Sequence, residues 1–224
     1  MAISVADTSA DHFTAPLLGI LGGTFDPIHL GHLRLAEEVR EGLSLGGVHF
    51  VPSAVPPHRP QPTLGPDERL ALVQAAIADH PGFIADGREL ERQGFSYTVD
   101  TLRAFHAEFP DRHLVLILGM DAFNGLTQWH RWQELFDWAH IAVASRPGAE
   151  ATGEAAALLA ERRIQPDQLA RQRSGGIVAL EITRLDISAT AIRAALGAGR
   201  SVRYLVPDCL LNPLHAHYSG LNSL

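Results

Sequence analysis

The sequence predicts an α/β fold built around a doubly wound parallel sheet. Short apolar runs, each the length of one strand, alternate along the chain with segments of helical periodicity. The run at residues 113–118 is apolar at both alternating positions, which is typical of a parallel strand that is buried on both faces. Because parallel strands are joined by crossovers, the alternation indicates right-handed units of strand, helix and strand.

The first half of the chain contains three predicted strands, at residues 17–21, 48–51 and 83–85. A helix is expected after each of them: one at residues 30–43, one that begins at Pro66, and one that Ser96 caps and that runs to Phe109. The second of these helices carries its apolar side chains on one face, namely Leu70, Val73, Ala76 and Ile77. The proline-rich segment at residues 52–66 cannot form a regular helix or a central strand, so we expect a long functional loop there.

The second half continues the pattern, with strands at residues 113–118, 141–144 and 177–182. Residues 129–138 are expected to be helical, residues 149–174 to hold at least one helix, and a further helix to begin at Ser188. Two short helical pieces, at residues 201–205 and 207–217, form a small helical part near the C-terminal end. We expect a single domain at residues 16–218, preceded by a disordered extension at residues 1–15.

Composition and charge limit the classes of partner. The formal net charge is −7, which argues against a broad nucleic-acid or membrane surface but is compatible with a local cluster of Arg and His that holds a small anion. No apolar run reaches the length of a transmembrane helix. The single cysteine, Cys209, excludes an internal disulfide framework and fits a reducing cytoplasm, where we expect the protein to act. The oligomeric state stays open, with a homo-oligomer among the alternatives.

The segment that follows the first strand has the chemistry of a phosphate site. Gly22 and Gly23 end the strand and a helix follows, so free backbone N–H groups and the helix dipole both face an anion. His29 and His32 are spaced to share a face of the first helical turn, where imidazole donates to a phosphate and a protonated ring adds charge. Two other interpretations remain: a metal-ligand pair, which lacks further ligands nearby, and two helix-surface histidines. The spacing matches neither the dinucleotide fingerprint nor a Walker loop.

Two other segments are expected to border the same crevice. The helix that opens at Ser188 and Thr190 presents hydroxyls, backbone N–H groups and Arg193, which either cap the helix or hold a phosphate. Gly119 ends the fourth strand and precedes Asp121, which either caps the next helix or accepts a ribose hydroxyl. Ligands of open α/β sheets bind beyond the carboxyl ends of strands, where the strand order reverses. If the two glycine-ended strands are neighbours, the histidines and Asp121 share one site.

Two stretches resemble the signatures of the nucleotidyltransferase superfamily. Residues 23–32 match its G-x-F-x-P-x-H-x-G-H pattern, and residues 187–193 (I-S-A-T-A-I-R) resemble I-S-x-T-x-I-R. Between them, S-Y-T at residues 96–98 and W-H-R-W at residues 129–132 are similar to bacterial nicotinate-nucleotide adenylyltransferases. The sequence departs from many members of that family at Ser145, where they have an arginine.

The resemblance implies a Rossmann-like nucleotidyltransferase fold and a step of NAD biosynthesis. ATP and nicotinate mononucleotide would give nicotinate adenine dinucleotide and pyrophosphate, with Mg²⁺ carried by ATP and no metal ligands from the protein. The attacking phosphate oxygen is already an anion, so the reaction needs alignment and charge neutralisation but no general base. The catalytic residues implied are His32, His29 and Arg193. The ATP-binding residues implied are Gly22, Gly23, Thr24, Phe25, His29, His32, Gly119, Asp121, Ser188, Thr190 and Arg193.

The resemblance also implies an acceptor side. Arg59 would approach the mononucleotide, Trp129 would stack on the pyridine ring, and backbone N–H groups near Thr98 and His130 would receive the nicotinate carboxylate. Arg146 is a further substrate contact implied in this way. From the residues alone, Trp129 and Trp132 would share a helix face and are equally explained by core packing. Alternatives are transfer to nicotinamide mononucleotide or phosphopantetheine, and a nucleotide-binding regulator without turnover.

Overall fold

The computed structural model describes residues 16–55, 61–92, 94–146 and 148–221. In that part of the chain, six strands form one parallel sheet: β1 (Leu17–Gly23), β2 (Gly47–Pro52), β3 (Phe83–Ala85), β4 (His113–Gly119), β5 (Ala139–Ser145) and β6 (Ile177–Glu181). The helices are α1 (Leu30–Gly42), α2 (Pro66–Ile77), α3 (Thr98–Glu108), α4 (Met120–Asn124), α5 (Leu135–Trp138), α6 (Gly153–Arg162), α7 (Ala189–Gly197) and α8 (Leu211–Leu221). The predicted α/β fold class is confirmed.

The strand order is β3-β2-β1-β4-β5-β6, so the order reverses between β1 and β4. These two strands are parallel neighbours with Leu17 opposite His113 and Ile20 opposite Leu116. The two strands that end in glycine are therefore neighbours, as the prediction of a shared site required. Their carboxyl ends open into the crevice where open α/β sheets bind ligands.

Two apolar layers enclose the sheet. In β4, Val115 and Ile117 pack in one layer, while Leu114 and Leu116 pack in the other. The first layer is completed by α1, α2, α7 and α8, and the second by α3, α4, α5 and α6. Alternate side chains of a strand point to opposite faces, so the double burial explains why β4 is apolar at both parities.

Helix α2 turns inward a face that matches the predicted one in part, since Val73 and Ile77 are buried as predicted. The structure buries Arg69 and Leu72, whereas Leu70 and Ala76 are only half-buried. The prediction ranked positions by apolarity, and an arginine was not considered for the core. Arg69 lies there because its guanidinium donates hydrogen bonds to backbone carbonyls in loops that include segments distant in sequence.

The start of α3 also differs from the prediction. Tyr97 is the residue at the N-cap, and no side chain caps the helix. The hydroxyl oxygen of Ser96 instead accepts a hydrogen bond from the backbone N–H of Ala54, at 2.9 Å. A tertiary partner has therefore taken the hydroxyl that would otherwise cap the helix.

Two predicted helices are wrong in extent or type. Residues 129–138 form a 3₁₀ turn and the short α5, because Arg131 has a left-handed backbone (φ 53°) that interrupts the hydrogen-bond ladder. Residues 201–205 are not helical; Arg203 pairs with Val206 in an isolated bridge, next to the left-handed Tyr204 (φ 66°). The helix expected within residues 149–174 is confirmed as α6.

Some predictions fall on residues outside the described ranges. These are the disordered extension at residues 1–15 and the part of the proline-rich segment that contains Arg59. No helix within the described residues is long and apolar enough to cross a membrane.

A buried arginine joins the loops that follow β1 and β2. The Arg69 side chain is fully buried. Its Nη1 donates to the Thr24 carbonyl at 2.7 Å, and its Nε donates to the Leu64 carbonyl at 3.2 Å. Its Nη2 donates to the Ala54 carbonyl at 3.4 Å. Burial lowers the pKa of Arg69, and Asp26 opposes that shift.

Replacing Arg69 by Met should lower the free energy of unfolding by about 3 kcal/mol, because three buried carbonyls lose their donor while the volume is nearly kept. Urea unfolding curves measure the difference. Arg34→Met is the matched control, since Arg34 is half exposed and pairs only with Glu38 on the helix surface. If both variants lose the same small amount, Arg69 does not hold these loops.

Candidate active site

The turn after β1 opens directly onto the crevice. A Cβ atom at Gly22 would meet nothing within 4 Å, and the same is true of Gly119 at the end of β4. At Gly23, a Cβ atom would lie 2.9 Å from the Phe25 ring, so this position needs glycine. The two strand ends therefore leave open space where a ligand can approach the backbone closely.

The Phe25 ring packs against His32, one of the two stacked histidines. The backbone of Phe25 is left-handed (φ 49°), an unusual state for a residue of this size. The ring is buried and meets the His32 ring edge to face, with the centroids 5.1 Å apart. Thr24 is half-buried, and its carbonyl is held by Arg69. The left-handed backbone of Phe25 thus places its ring in contact with the His32 ring.

His29 and His32 stack on each other. Their ring centroids are 3.7 Å apart with 19° between the planes. The backbone N–H of His29 donates to Nδ1 of His32 at 3.3 Å. His29 occupies the N-cap position of α1 and so lies just outside the helix, not on its first turn as predicted. A Cβ atom at Gly31 would lie 3.1 Å from the His29 ring, so glycine lets the ring fold back over the helix start.

His29 is held in its neutral form. It is only 6% exposed, and burial together with the nearby Arg146 guanidinium lowers the pKa of His29 to about 4. Its Nδ1 is buried and has no hydrogen-bond partner. A neutral imidazole keeps one N–H donor and one acceptor. The expectation that protonation adds charge is thus wrong for His29 near neutral pH.

The N-terminus of α7 lies against the turn after β1. The Ser188 hydroxyl accepts a hydrogen bond from the Ala191 N–H at 3.2 Å, so it caps this helix. Arg193 donates from Nη2 to the Thr190 hydroxyl at 3.2 Å and from Nη1 to the Asp26 carbonyl at 2.7 Å. The two sequence signatures, which lie far apart in the chain, are thereby in direct contact.

Asp26 is a central residue that the sequence analysis missed. One carboxylate oxygen accepts from the Thr63 N–H at 2.8 Å, and the other accepts from the Leu64 N–H at 3.0 Å. The same carboxylate lies 3.6 Å from Nη1 of Arg193. The sequence contained no signal for this role beyond the position of Asp26 within the first signature.

Arg146 lies near His29, and Asp121 lies just beyond the carboxyl end of β4. The Arg146 guanidinium pairs with Asp186, 3.2 Å away, on the segment that leads into α7, and it also lowers the pKa of His29. It is therefore close to the turn after β1. Asp121 is exposed in the first turn of α4, where Gly119 is the N-cap residue. The N-cap role considered for Asp121 is thus excluded.

Two of the residues predicted for the acceptor side, Thr98 and His130, lie near the start of α3. Thr98 is the first residue of α3, and the preceding Tyr97 ring stacks on the exposed His130 ring with centroids 4.1 Å apart. Trp129 is half-buried against the apolar layer on that face of the sheet. It does not share a helix face with Trp132. The resemblance implied that the segments around Thr98 and His130 lie together, but not that the Tyr97 and His130 rings stack.

Comparisons with known proteins agree on one family. A family model described as cytidylyltransferase-like matches residues 20–195. The probable nicotinate-nucleotide adenylyltransferase of Halorhodospira halophila is 50% identical over 196 residues, which cover 86% of this chain and 90% of that protein. The protein of the same name from Methylococcus capsulatus is 48% identical over 89% of this chain and 97% of its own length. The chain belongs to the nicotinate-nucleotide adenylyltransferase family.

Solved structures share the fold of this adenylyltransferase family member. The Plasmodium falciparum nicotinic acid mononucleotide adenylyltransferase complexed with NaAD aligns with a TM-score of 0.67 and 15% identity, covering 93% of this chain and 97% of that one. A putative nicotinate-nucleotide adenylyltransferase from Vibrio parahaemolyticus aligns with a TM-score of 0.60 and 17% identity, covering 91% and 96%. At these identities the alignments establish the common fold.

The described residues contain no group of three or more His, Cys, Asp or Glu side chains that could hold a metal ion. The metal-ligand interpretation of His29 and His32 thus gains no third ligand among them. The acidic side chain nearest to the pair in sequence, Asp26, already accepts two backbone N–H groups.

The low pKa of His29 predicts a specific loss of stability in acid. The folded state disfavours protonation, so its contribution is present above the unfolded pKa of about 6.5 and is lost as the pH falls toward 4. Between pH 7 and 5 the loss from this one residue should be roughly 2 kcal/mol in the free energy of unfolding. Urea unfolding at both pH values, with His29→Gln as comparison, measures it; His29→Gln should lose less stability than the natural protein. An NMR titration midpoint near 6.5 for His29 would contradict the prediction.

Proposed function

We propose that this chain transfers the adenylyl group of ATP to nicotinate mononucleotide, giving nicotinate adenine dinucleotide and pyrophosphate. The observation that carries the proposal is the joining of two helix N-termini, those of α1 and α7, at the open glycine turn through Arg193 and Asp26. Membership of the nicotinate-nucleotide adenylyltransferase family supports it.

The ATP side would be formed by the turn after β1, the end of β4 and the start of α7. Gly22, Gly23 and Gly119 leave the space for it, since two of them face open volume and Gly23 permits the Phe25 packing. Helix N-termini attract phosphate through free N–H groups and the helix dipole. We assign the triphosphate to this region, with Arg193 and the neighbouring Arg146 as its cations. Asp121, exposed beyond Gly119, is suited to accept a ribose hydroxyl.

The acceptor side would be formed by the start of α3 and the segment around Trp129. Helix α3 has no side-chain cap, so its first N–H groups are available for a carboxylate. Thr98 directly follows Tyr97, and the Tyr97 ring stacks on the His130 ring. We assign the nicotinate carboxylate to these N–H groups and the pyridine ring to Trp129. Arg59 remains a proposed contact of the mononucleotide, outside the described residues.

The chemical step follows from these assignments. A phosphate oxygen of the mononucleotide forms a bond to the α-phosphorus of ATP, and the bond from that phosphorus to the bridging oxygen breaks. The electron pair of the broken bond leaves with pyrophosphate. The nucleophile is already an anion, so a neutral His29 is no disadvantage, and the histidines act as N–H donors to developing charge. ATP enters as its magnesium complex, in which the triphosphate oxygens supply most ligands.

The acid and amide forms of the acceptor separate this proposal from its nearest alternative. The kcat/KM for nicotinate mononucleotide should exceed that for nicotinamide mononucleotide by about tenfold or more, because only the acid places a negative charge at the α3 N-terminus. Pyrophosphate release measures both rates. Equal use of the amide would sink the acid-specific assignment. Phosphopantetheine as the better acceptor, or ATP binding without any release, would replace the proposed function.

His32→Ala should lower kcat by about 100-fold, as removal of a preorganised donor to the reacting phosphoryl group does. The variant should keep its fold, since His32 is only half-buried. His215→Ala, on the exposed face of α8, is the matched control and should keep kcat within about twofold. A nearly unchanged kcat in His32→Ala would show that the reacting centre lies elsewhere.

A further inference from the structure

A buried glutamate lies behind the start of α3. Glu89 is 7% exposed, although it belongs to the polar connection between β3 and α3. Its carboxylate accepts a hydrogen bond from the Thr101 hydroxyl, and the Ser96 hydroxyl also interacts with it. Burial raises the pKa of Glu89, and these hydroxyls and the nearby Arg92 oppose the shift. A carboxyl buried this deeply is costly unless its hydrogen bonds are needed.

The two hydroxyls bracket the helix start to which we assign the nicotinate carboxylate. Ser96 immediately precedes the N-cap residue Tyr97, and Thr101 lies in the first turn of α3. Both hydroxyls interact with the same carboxyl group, Thr101 through a hydrogen bond, so this group connects the two ends of the backbone segment. The Thr101 hydroxyl is also 3.4 Å from the Tyr97 carbonyl, and Arg92 donates to that hydroxyl at 3.3 Å. The orientation of the N–H groups of Thr98 and its neighbours therefore depends on Glu89.

The contact continues to the loop after β2. The hydroxyl of Ser96, which interacts with Glu89, also accepts from the Ala54 N–H at 2.9 Å. The Ser96 N–H in turn donates to the Val55 carbonyl at 3.1 Å. The lead-in to α3 is thus attached both to the buried carboxyl and to the end of β2.

We propose that Glu89 is a positioning residue for the acceptor: its buried carboxyl fixes Ser96 and Thr101 so that the uncapped N-terminus of α3 is aligned to receive the acceptor's carboxylate. This role rests on the proposed function. Glu89 contacts no substrate in this scheme and acts through the backbone. Among the described residues, the hydrogen bond of Glu89 is made to Thr101 in the first turn of α3, whereas the turn after β1 is held by Arg69 and Arg193.

The test is a split between the two substrates. Glu89→Gln keeps the size of the side chain but replaces one acceptor oxygen with an N–H₂ donor, so the side chain can accept from only one of the two hydroxyls through its remaining oxygen. Its KM for nicotinate mononucleotide should rise about tenfold, while its KM for ATP stays within about twofold. Ser96→Ala should raise the acceptor KM in the same direction, and the double variant should show less than the sum of the two free-energy changes.

Asp86→Asn is the matched control. Asp86 lies three residues earlier in the same connection, and its buried carboxylate binds His49 and Arg88 away from the start of α3. This variant should lower Tm without changing the acceptor KM. A Glu89→Gln enzyme with a lower Tm and an unchanged KM ratio would overturn the positioning role. If Glu89→Gln does not fold, an unchanged acceptor KM in Ser96→Ala overturns it.

The natural enzyme separates the two failures. Absence of pyrophosphate release with nicotinate mononucleotide refutes the proposed function and the positioning role with it. Normal release by the natural enzyme, together with equal KM changes for both substrates in Glu89→Gln, refutes only the role of Glu89.

Discussion

The site depends on one carboxylate, that of Asp26. It accepts two backbone N–H groups, from Thr63 and Leu64, and lies beside the Arg193 guanidinium, while its own carbonyl accepts from the same guanidinium. Three segments distant in sequence are thus joined at one buried residue: the turn after β1, the loop before α2 and the helix α7. Charge-assisted hydrogen bonds of this kind are shorter and stronger than neutral ones. Together with the packing of Ile28 and Ile192 in one apolar layer, they fix the distance between the two signature segments.

The charge state of His29 affects how the site would attract phosphate. The sequence suggests positive charge on the histidines, but the structure buries His29 and places Arg146 near it, so its ring is neutral. Two guanidinium groups, those of Arg193 and Arg146, and the N-termini of α1 and α7 lie at this crevice and would attract an anion. In the proposed reaction, the neutral His29 ring would donate a hydrogen bond to a phosphate oxygen without adding charge. A phosphate oxygen that attacks as an anion benefits from such a fixed donor.

The sequence predicted the parts of this molecule that follow from local pattern. The apolar parity of β4, the glycine breaks after β1 and β4, and the start of α7 are all local features, and the structure contains each of them. Arg69 and the Ser96 hydroxyl could not be read in this way. An arginine in an amphipathic helix reads as a surface residue, and its burial is set by carbonyls at Thr24, Ala54 and Leu64 that become neighbours only on folding. The roles of the site residues toward their substrates remain predictions, because they depend on ligands.

The backbone N–H and the carbonyl of Ala54 connect the two sides of the crevice. Its carbonyl accepts from Arg69, which also holds the Thr24 carbonyl in the turn after β1. Its N–H donates to Ser96, which interacts with Glu89 behind the start of α3. Arg69 therefore holds the carbonyl of Ala54, and Ser96, which interacts with the buried Glu89 carboxyl, holds the N–H of the same residue. A displacement of the turn after β1 has a direct path to the start of α3, through groups that are costly to leave unpaired. In-line transfer between two bound anions requires that kind of fixed separation, and in the proposed reaction it would be maintained by side chains to which no substrate contact is assigned.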